Sequence, residues 1–247
     1  MSVTSHPGAD AWHDVECASY AADLPLWREL AAEAGGPVLD VGGGTGRVGL
    51  DLARRGHEVT SIDADPDLAR TCAERARGAG LPLRSLPADC RSFDLGTGFA
   101  LAILPMQVAQ LLGGRPGRTA MLSTVRAHLA PGGRLAVALA HPFASVAPGE
   151  ALPPLPDILE RDGWVLSSTP LDVRDEGDAT AVVRHRQAVS PSGELTEEMA
   201  TIVLESVGHE TLEAEAREAG FEIVPPRSVP ATRDYVGSTV VIGEVSE

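Results

Sequence analysis

Lysine and asparagine are absent from all 247 residues of this sequence. Biased codon usage accounts for both absences, and they also exclude chemistry. There can be no phosphate-binding Walker lysine, no Schiff base and no motif built on asparagine. Positive charge is scarce as well: 20 basic against 35 acidic residues leave a formal net charge of −15, with no strongly basic stretch. Nucleic-acid binding needs clustered cations to displace phosphate counterions, so DNA or RNA is not an expected partner. Long apolar runs are missing too. The longest, Phe99 to Met106, suits a buried strand and is far short of the roughly 20 residues that span a bilayer. The N-terminus lacks a basic start followed by an apolar run, so no secretory signal is read there. The three cysteines, Cys17, Cys72 and Cys90, are scattered and form neither a disulfide framework nor a CxxC pair. No His/Asp/Glu cluster has metal-ligand spacing, so no metal is expected. These features suit a cytoplasmic protein that needs no membrane.

What is present is a regular alternation. Val38–Val41 is a short apolar run ending at a glycine cluster, as in a fully buried parallel strand. Arg47 to Arg55 reads as a helix, His57 to Ile62 as a strand, and Asp65-Pro66 as an N-cap followed by proline at the first helical position. That helix runs to about Arg77. Further strands are expected at Leu81–Leu86, Phe99–Leu104 and Arg134–Ala140, with a helix over Arg118–Ala130 stopped by Pro131-Gly-Gly133. Strands alternating with helices imply an α/β fold, a doubly wound and mostly parallel sheet of seven strands.

The pattern divides the chain into a helical N-terminal cap (1–36), a Rossmann-like core (37–145), a β insertion after the fifth strand that would form part of the substrate pocket (146–208) and the end of the core (209–247). The cap reads as helical between Val15 and Ala34 apart from Pro25. In the insertion, Trp164–Val173, Ala179–Val189 and Leu195–Ser206 read as antiparallel strands, the last two joined at Ser190-Pro-Ser-Gly193. Helix Glu210–Ala219 and strands Phe221–Val224 and Ser238–Gly243 complete the chain.

The segment that carries chemistry is Val38-Leu-Asp-Val-Gly-Gly-Gly-Thr-Gly-Arg47. A buried strand delivers the chain to the sheet edge, and glycines there let the backbone turn sharply and approach a ligand. Two cofactor classes compete. A dinucleotide site wants G-x-G-x-x-G, and Gly44-Thr-Gly46-Arg-Val-Gly49 fits it, with Asp63 about 20 residues on. The register objects. The strand ends at Val41, so that motif should begin at Gly42 and put glycine at position 47, where Arg47 stands.

Asp40-Val-Gly42-Gly43-Gly44-Thr-Gly46 resembles motif I of the class I methyltransferases that use S-adenosylmethionine (SAM). SAM carries an ammonium and a sulfonium but no pyrophosphate, so an acid at the strand end makes chemical sense. The resemblance extends along most of the chain. It implies that Asp63, followed by Ala64, accepts both ribose hydroxyls, as a carboxylate can from a cis-diol. Asp89 would face the adenine amino group, Cys90 would lie beside the ring, and the strand ending at Leu104 would line the methionine half. Tyr20 in the cap would touch the cofactor. His128-Leu-Ala-Pro-Gly-Gly-Arg-Leu-Ala-Val137 resembles the family's helix–turn–strand signature, and Gly220-Phe221 resembles its final turn.

The activity implied is methyl transfer to an oxygen, nitrogen or carbon of a small molecule, as in specialised metabolism, with S-adenosylhomocysteine as product. The acceptor would meet His13, Gln107 and His141, with His141, just after the fifth core strand, as general base. Missing asparagine removes the Asn-Pro-Pro-Tyr variant that methylates nucleobases or glutamine. The alternatives are an NAD-dependent oxidoreductase and a SAM-binding protein without catalysis. Monomer and homodimer both remain open.

Overall fold

A computed structural model describes residues 6–96, 98–140, 155–232 and 235–246. Its larger sheet has seven strands in the order β10-β11-β5-β4-β1-β2-β3. These strands are β1 (Val38–Val41), β2 (Val59–Asp63), β3 (Leu83–Pro87), β4 (Phe99–Leu104), β5 (Leu129–Ala140), β10 (Glu222–Val229) and β11 (Ser238–Glu244). β1 pairs in parallel with both β2 and β4, β2 with β3, and β4 with β5. Only β11 runs against its neighbours, pairing antiparallel with β5 and β10. The chain therefore winds one way from β1 to β3, then crosses to β4 on the other side of β1. The crevice between the carboxyl ends of β1 and β4 is the switch point where open α/β sheets bind ligands.

Two apolar layers cover the sheet. Leu39, Val41, Leu104, Met121, Leu122 and Val137 are packed in one cluster. Trp27, Leu30, Val38, Leu52, Leu101 and Ala136 are packed in the other. All four residues of β1 are buried. This explains why β1 is a continuous apolar run broken only by Asp40.

The helices follow from local signals. In α4 (Pro66–Gly78), Asp65 is the N-cap and accepts from the Asp67 and Leu68 amides, with proline at the start, as expected. α3 (Arg47–Arg54) follows the glycine loop, and α6 (His209–Glu218) packs beneath β11. α5 (Gly114–His128) begins four residues before the expected start, just after Gly113, a left-handed N-cap glycine with φ of 79°.

The cap differs more. It consists of α1 (Ala9–Cys17) and α2 (Leu24–Ala34), so helix begins before Val15 and breaks between 18 and 23. Pro25 sits in the first turn of α2, where its missing N–H costs nothing, and Gly35 ends α2 at φ 64°.

The second sheet is antiparallel, in the order β6-β7-β8-β9: β6 (Asp157–Arg161), β7 (Trp164–Asp175), β8 (Ala179–Val189) and β9 (Leu195–Glu205). Three of these strands are the expected ones, and β6 is an addition. Strand alternation separates the β8 side chains. Arg184 and Arg186 both reach Glu16 of α1, whereas His185 faces Glu197 on β9. Arg161 of β6 pairs with Asp10 and Asp14. The insertion is thus clasped to α1, which itself crosses the mouth of the switch-point crevice.

Candidate active site

Loops following β1, β2, β3 and β4, together with α1 and the second sheet, enclose a cavity of about 510 Å³. Small-molecule sites fall between roughly 300 and 1,000 Å³. Asp40, Gly42, Gly43, Asp63, Ala64, Asp89, Cys90, Gln107 and His13 all border it. Seven of these are sequence-predicted cofactor positions and two are sequence-predicted acceptor positions. Gly44, Gly46, Tyr20 and Leu104 do not border it. His141 lies outside the described residues.

The glycine loop is built for close approach. Gly42, Gly44 and Gly46 all have positive φ, at 69°, 57° and 96°. A Cβ at Gly43 would run into Ser61 Oγ and come within 2.8 Å of Asp40 Oδ2, and one at Gly44 would run into the His13 imidazole. Gly44 and Gly46 thus shape the loop from behind, whereas Gly42 and Gly43 face the cavity.

Asp40 is fully buried, and neither carboxylate oxygen has a hydrogen-bond partner among the described residues. Burial pushes its pKa up to about 7, with the positive charge of Arg47 and, more weakly, the Gly49 amide opposing the shift. A buried acid with no donor is costly unless a ligand supplies one. Asp63 is arranged differently. Its Oδ2 accepts from the Gly44 amide at 2.8 Å and its Oδ1 from the Asp65 amide at 2.9 Å. A carboxylate offers about four lone-pair sites, so one on each oxygen remains for a diol. Both observations fit SAM: an orphaned acid for its ammonium and a pinned, half-used carboxylate for its ribose.

Asp89 is held by Arg91, which grips both oxygens through Nε and Nη2 and adds its own amide. That pairing holds the Asp89 carboxyl below the usual range. Burial pushes the Cys17, Cys72 and Cys90 thiols up to about 11, so at neutral pH none is a thiolate nucleophile. Among the described residues, no group of three or more His, Cys, Asp or Glu side chains is placed to hold a metal.

Tyr20 supports the wall from behind. Its ring lies under the Arg47 guanidinium, 5.0 Å from centroid to Cζ, and stacks against Tyr235. Arg47 does border the cavity. It is tied to buried Asp23 through two bonds of 2.6 and 2.7 Å and to the Tyr20 carbonyl. Leu104 is fully buried in the core, so the loop after it, Pro105-Met106-Gln107, presents the end of β4 to the cavity. Met106 adopts a left-handed φ of 59°, a strained state for a non-glycine residue of the kind that clusters at functional sites.

The expected contribution of the insertion to the pocket comes from individual residues that the sequence reading did not assign, and α1 adds more. Trp12 and Glu16 of α1, and Arg186 and Ile202 of the second sheet, form the wall opposite the glycine loop. The Arg186 guanidinium lies over the Trp12 ring at 5.2 Å and donates to Glu16 at 2.8 and 3.0 Å. The only signal was the helical spacing of Trp12 and Glu16, four residues apart, which names a shared face but not what it meets.

Residues 38–133 match the family model described as a methyltransferase domain. The matched segment, from β1 to the first residues of β5, is similar to that domain. Solved structures extend the likeness to the whole architecture. DesVI of Streptomyces venezuelae is 20% identical with a TM-score of 0.70, covering 96% of each chain. The sugar N-methyltransferase KedS8 of a Streptoalloteichus species is 20% identical with a TM-score of 0.72, covering 100% of this chain and 98% of that one. An S-adenosylmethionine-dependent methyltransferase of Clostridium acetobutylicum is 12% identical with a TM-score of 0.72, over 96% of each chain. No curated protein sequence gives a significant match. The domain therefore has the class I methyltransferase fold, a mostly parallel seven-stranded sheet accompanied here by the antiparallel sheet.

Proposed function

We propose that the protein transfers the methyl group of SAM to a small-molecule acceptor, releasing S-adenosylhomocysteine. The observation that carries this reading is the pair Asp40 and Asp63 at the ends of β1 and β2, one acid without a donor and one with lone pairs to spare, facing one cavity. Asp40 receives the ammonium, Asp63 the ribose hydroxyls, and Gly42, Gly43 and Ala64 let the nucleoside lie against the backbone. Asp89 and Cys90 border the adenine. SAM supplies an activated methyl on a sulfonium. The protein's task is alignment, which can contribute several kcal/mol, roughly 7–11 in favourable intramolecular cases.

The acceptor occupies the remaining space, walled by Trp12, His13, Gln107, Arg186 and Ile202. Similar structures include an amino pentose methyltransferase of Micromonospora echinaspora and a 1,6-didemethyltoxoflavin N1-methyltransferase of Burkholderia thailandensis. They support a small metabolite of specialised metabolism as acceptor. No described helix is long and apolar enough to cross a membrane.

The test is calorimetric titration of the purified protein with SAM, S-adenosylhomocysteine and NAD. Binding of both SAM and its demethylated product without NAD is expected, followed by S-adenosylhomocysteine release when a panel of amino sugars and phenols is added. Binding of NAD alone would restore the dinucleotide register, and silence from all three would remove the catalytic reading.

A further inference from the structure

The His13 imidazole has its two nitrogens in different surroundings. Nδ1 lies 3.2 Å from Thr45 Oγ1. That hydroxyl gives its proton to Asp14 Oδ1 at 2.7 Å, so toward His13 it can only accept, and the Nδ1 atom must carry the hydrogen. Asp14 is a fixed anchor for this chain. It is buried and also receives Arg75 and Arg161, which hold its carboxyl below the usual range. Nε2 is left without hydrogen and without a hydrogen-bond partner among the described residues; His13 borders the cavity, and the Nε2–Cε1 edge is the part of its ring that lies against Gly44. Gly44 makes this placement possible, since any side chain there would occupy the space of the ring.

The charges around the ring come from every packed element. Asp14 and Glu16 on α1 and Asp63 at the end of β2 favour the imidazolium, and Arg47 on α3 opposes it. Burial outweighs all of them and holds the free ring below its ordinary 6.5. The resting imidazole is therefore a neutral base at pH 7, and the nearby carboxylates stabilise it once charged.

We propose that His13 Nε2 is the proton acceptor of the methyl-transfer step, with Thr45 and Asp14 as positioning residues; the inference rests on the methyl-transfer reading. As the acceptor's lone pair forms its bond to the methyl carbon, the carbon–sulfur bond breaks and its electrons return to sulfur as a neutral thioether. The acceptor's own proton passes to Nε2. One positive charge leaves the sulfonium and one appears on the imidazolium, so the cavity's net charge is unchanged. The acceptor class that needs this is a hydroxyl, or an ammonium that first gives its proton to Nε2 and then attacks with the freed lone pair.

The test has two readouts. Nitrogen-detected NMR of the SAH-loaded protein, with His13 assigned through a His13→Gln variant, should show a neutral Nδ1–H tautomer at pH 7. Thr45→Val should release that tautomer preference. In turnover of the amino-sugar and phenol panel, His13→Gln should keep SAM affinity within a few-fold and lose about 100- to 10,000-fold in kcat, as general-base losses do. An Nε2–H tautomer, an imidazolium at pH 7, or unimpaired kcat overturns the proposal. Where no panel member turns over, the tautomer decides. Failure of the wild-type protein to bind SAM would instead sink the underlying reading.

Discussion

Replacing Asp40 by asparagine should separate the stability of the empty fold from its hold on SAM. The wild-type carboxyl is fully buried, no described side chain donates to it, and its pKa rises from 3.8 to about 7. The folded state therefore keeps a proton that the unfolded state has lost. Stability from this group is complete below about pH 4 and drains away as pH rises to about 7. Roughly three pH units correspond to about 4 kcal/mol at 1.36 kcal/mol each. Asparagine removes that slope but leaves its own amide without partners, at about 1–3 kcal/mol.

The expected balance at pH 8 is a variant more stable by about 1–3 kcal/mol, or about 2–12 °C in Tm for a chain of this size. The gap should close near pH 5. SAM affinity moves the other way, because a charge-assisted bond of about 1.5–3 kcal/mol is lost, about 10- to 150-fold in Kd. Wild-type binding at pH 6 should also release a proton as the ammonium arrives. That proton is read as a difference in calorimetric enthalpy between two buffers of unlike ionisation enthalpy. A variant that melts below wild type at pH 8 and still binds SAM normally would refute the whole argument.

Other substitutions probe separate joints. Asp63→Ala should weaken SAM binding by about 100- to 10,000-fold, from two charge-assisted bonds of about 1.5–3 kcal/mol each; unchanged affinity in a folded variant would displace the ribose from β2. Arg47→Met leaves Asp23, 3% exposed, with the Trp27 indole as its remaining side-chain partner among the described residues. Breaking a buried pair costs about 3–5 kcal/mol, and thermal melts should fall by about 6–20 °C. Gly44→Ala combines a φ of 57° with a collision against His13. It should lose about 2–4 kcal/mol of stability, and differential scanning calorimetry that finds no loss would mean that α1 gives way freely.

Reading the core from sequence worked where one physical requirement dominates. β1 must be apolar because both its faces are covered, and β4 likewise, so Val38–Val41 and Phe99–Leu104 are found where the pattern placed them. Asp65-Pro66 announced α4 because capping is a local event between neighbours. The break at 18–23 was invisible for the opposite reason. It is set by Arg47 reaching from α3 to Asp23 and the Tyr20 carbonyl, 24 and 27 residues away.

The same distinction runs through the site. Glycines and acids that follow a strand are legible because the sheet edge fixes their place, and Asp40, Asp63 and Asp89 all reach the cavity. Tyr20 and Leu104 were assigned through the family resemblance, and the structure puts them behind the wall because their side chains satisfy Arg47 and the core first. The acceptor side depends on how a second sheet leans on α1, through Glu16 to Arg184 and Arg186 and through Asp14 to Arg161. Such ion pairs join residues up to 170 positions apart. No periodicity reports them. Yet they decide which face of α1, Trp12 with His13 and Glu16, meets the ligand. Arg47 marks the turning point between the two kinds of information. In sequence it argues only against a dinucleotide glycine. In the fold its charge, with the Gly49 amide, opposes the rise in the Asp40 pKa, it supports Tyr20, and it holds the turn before α2. A single buried guanidinium therefore links the cap to the cofactor loop, and disturbing it should move stability and SAM affinity together.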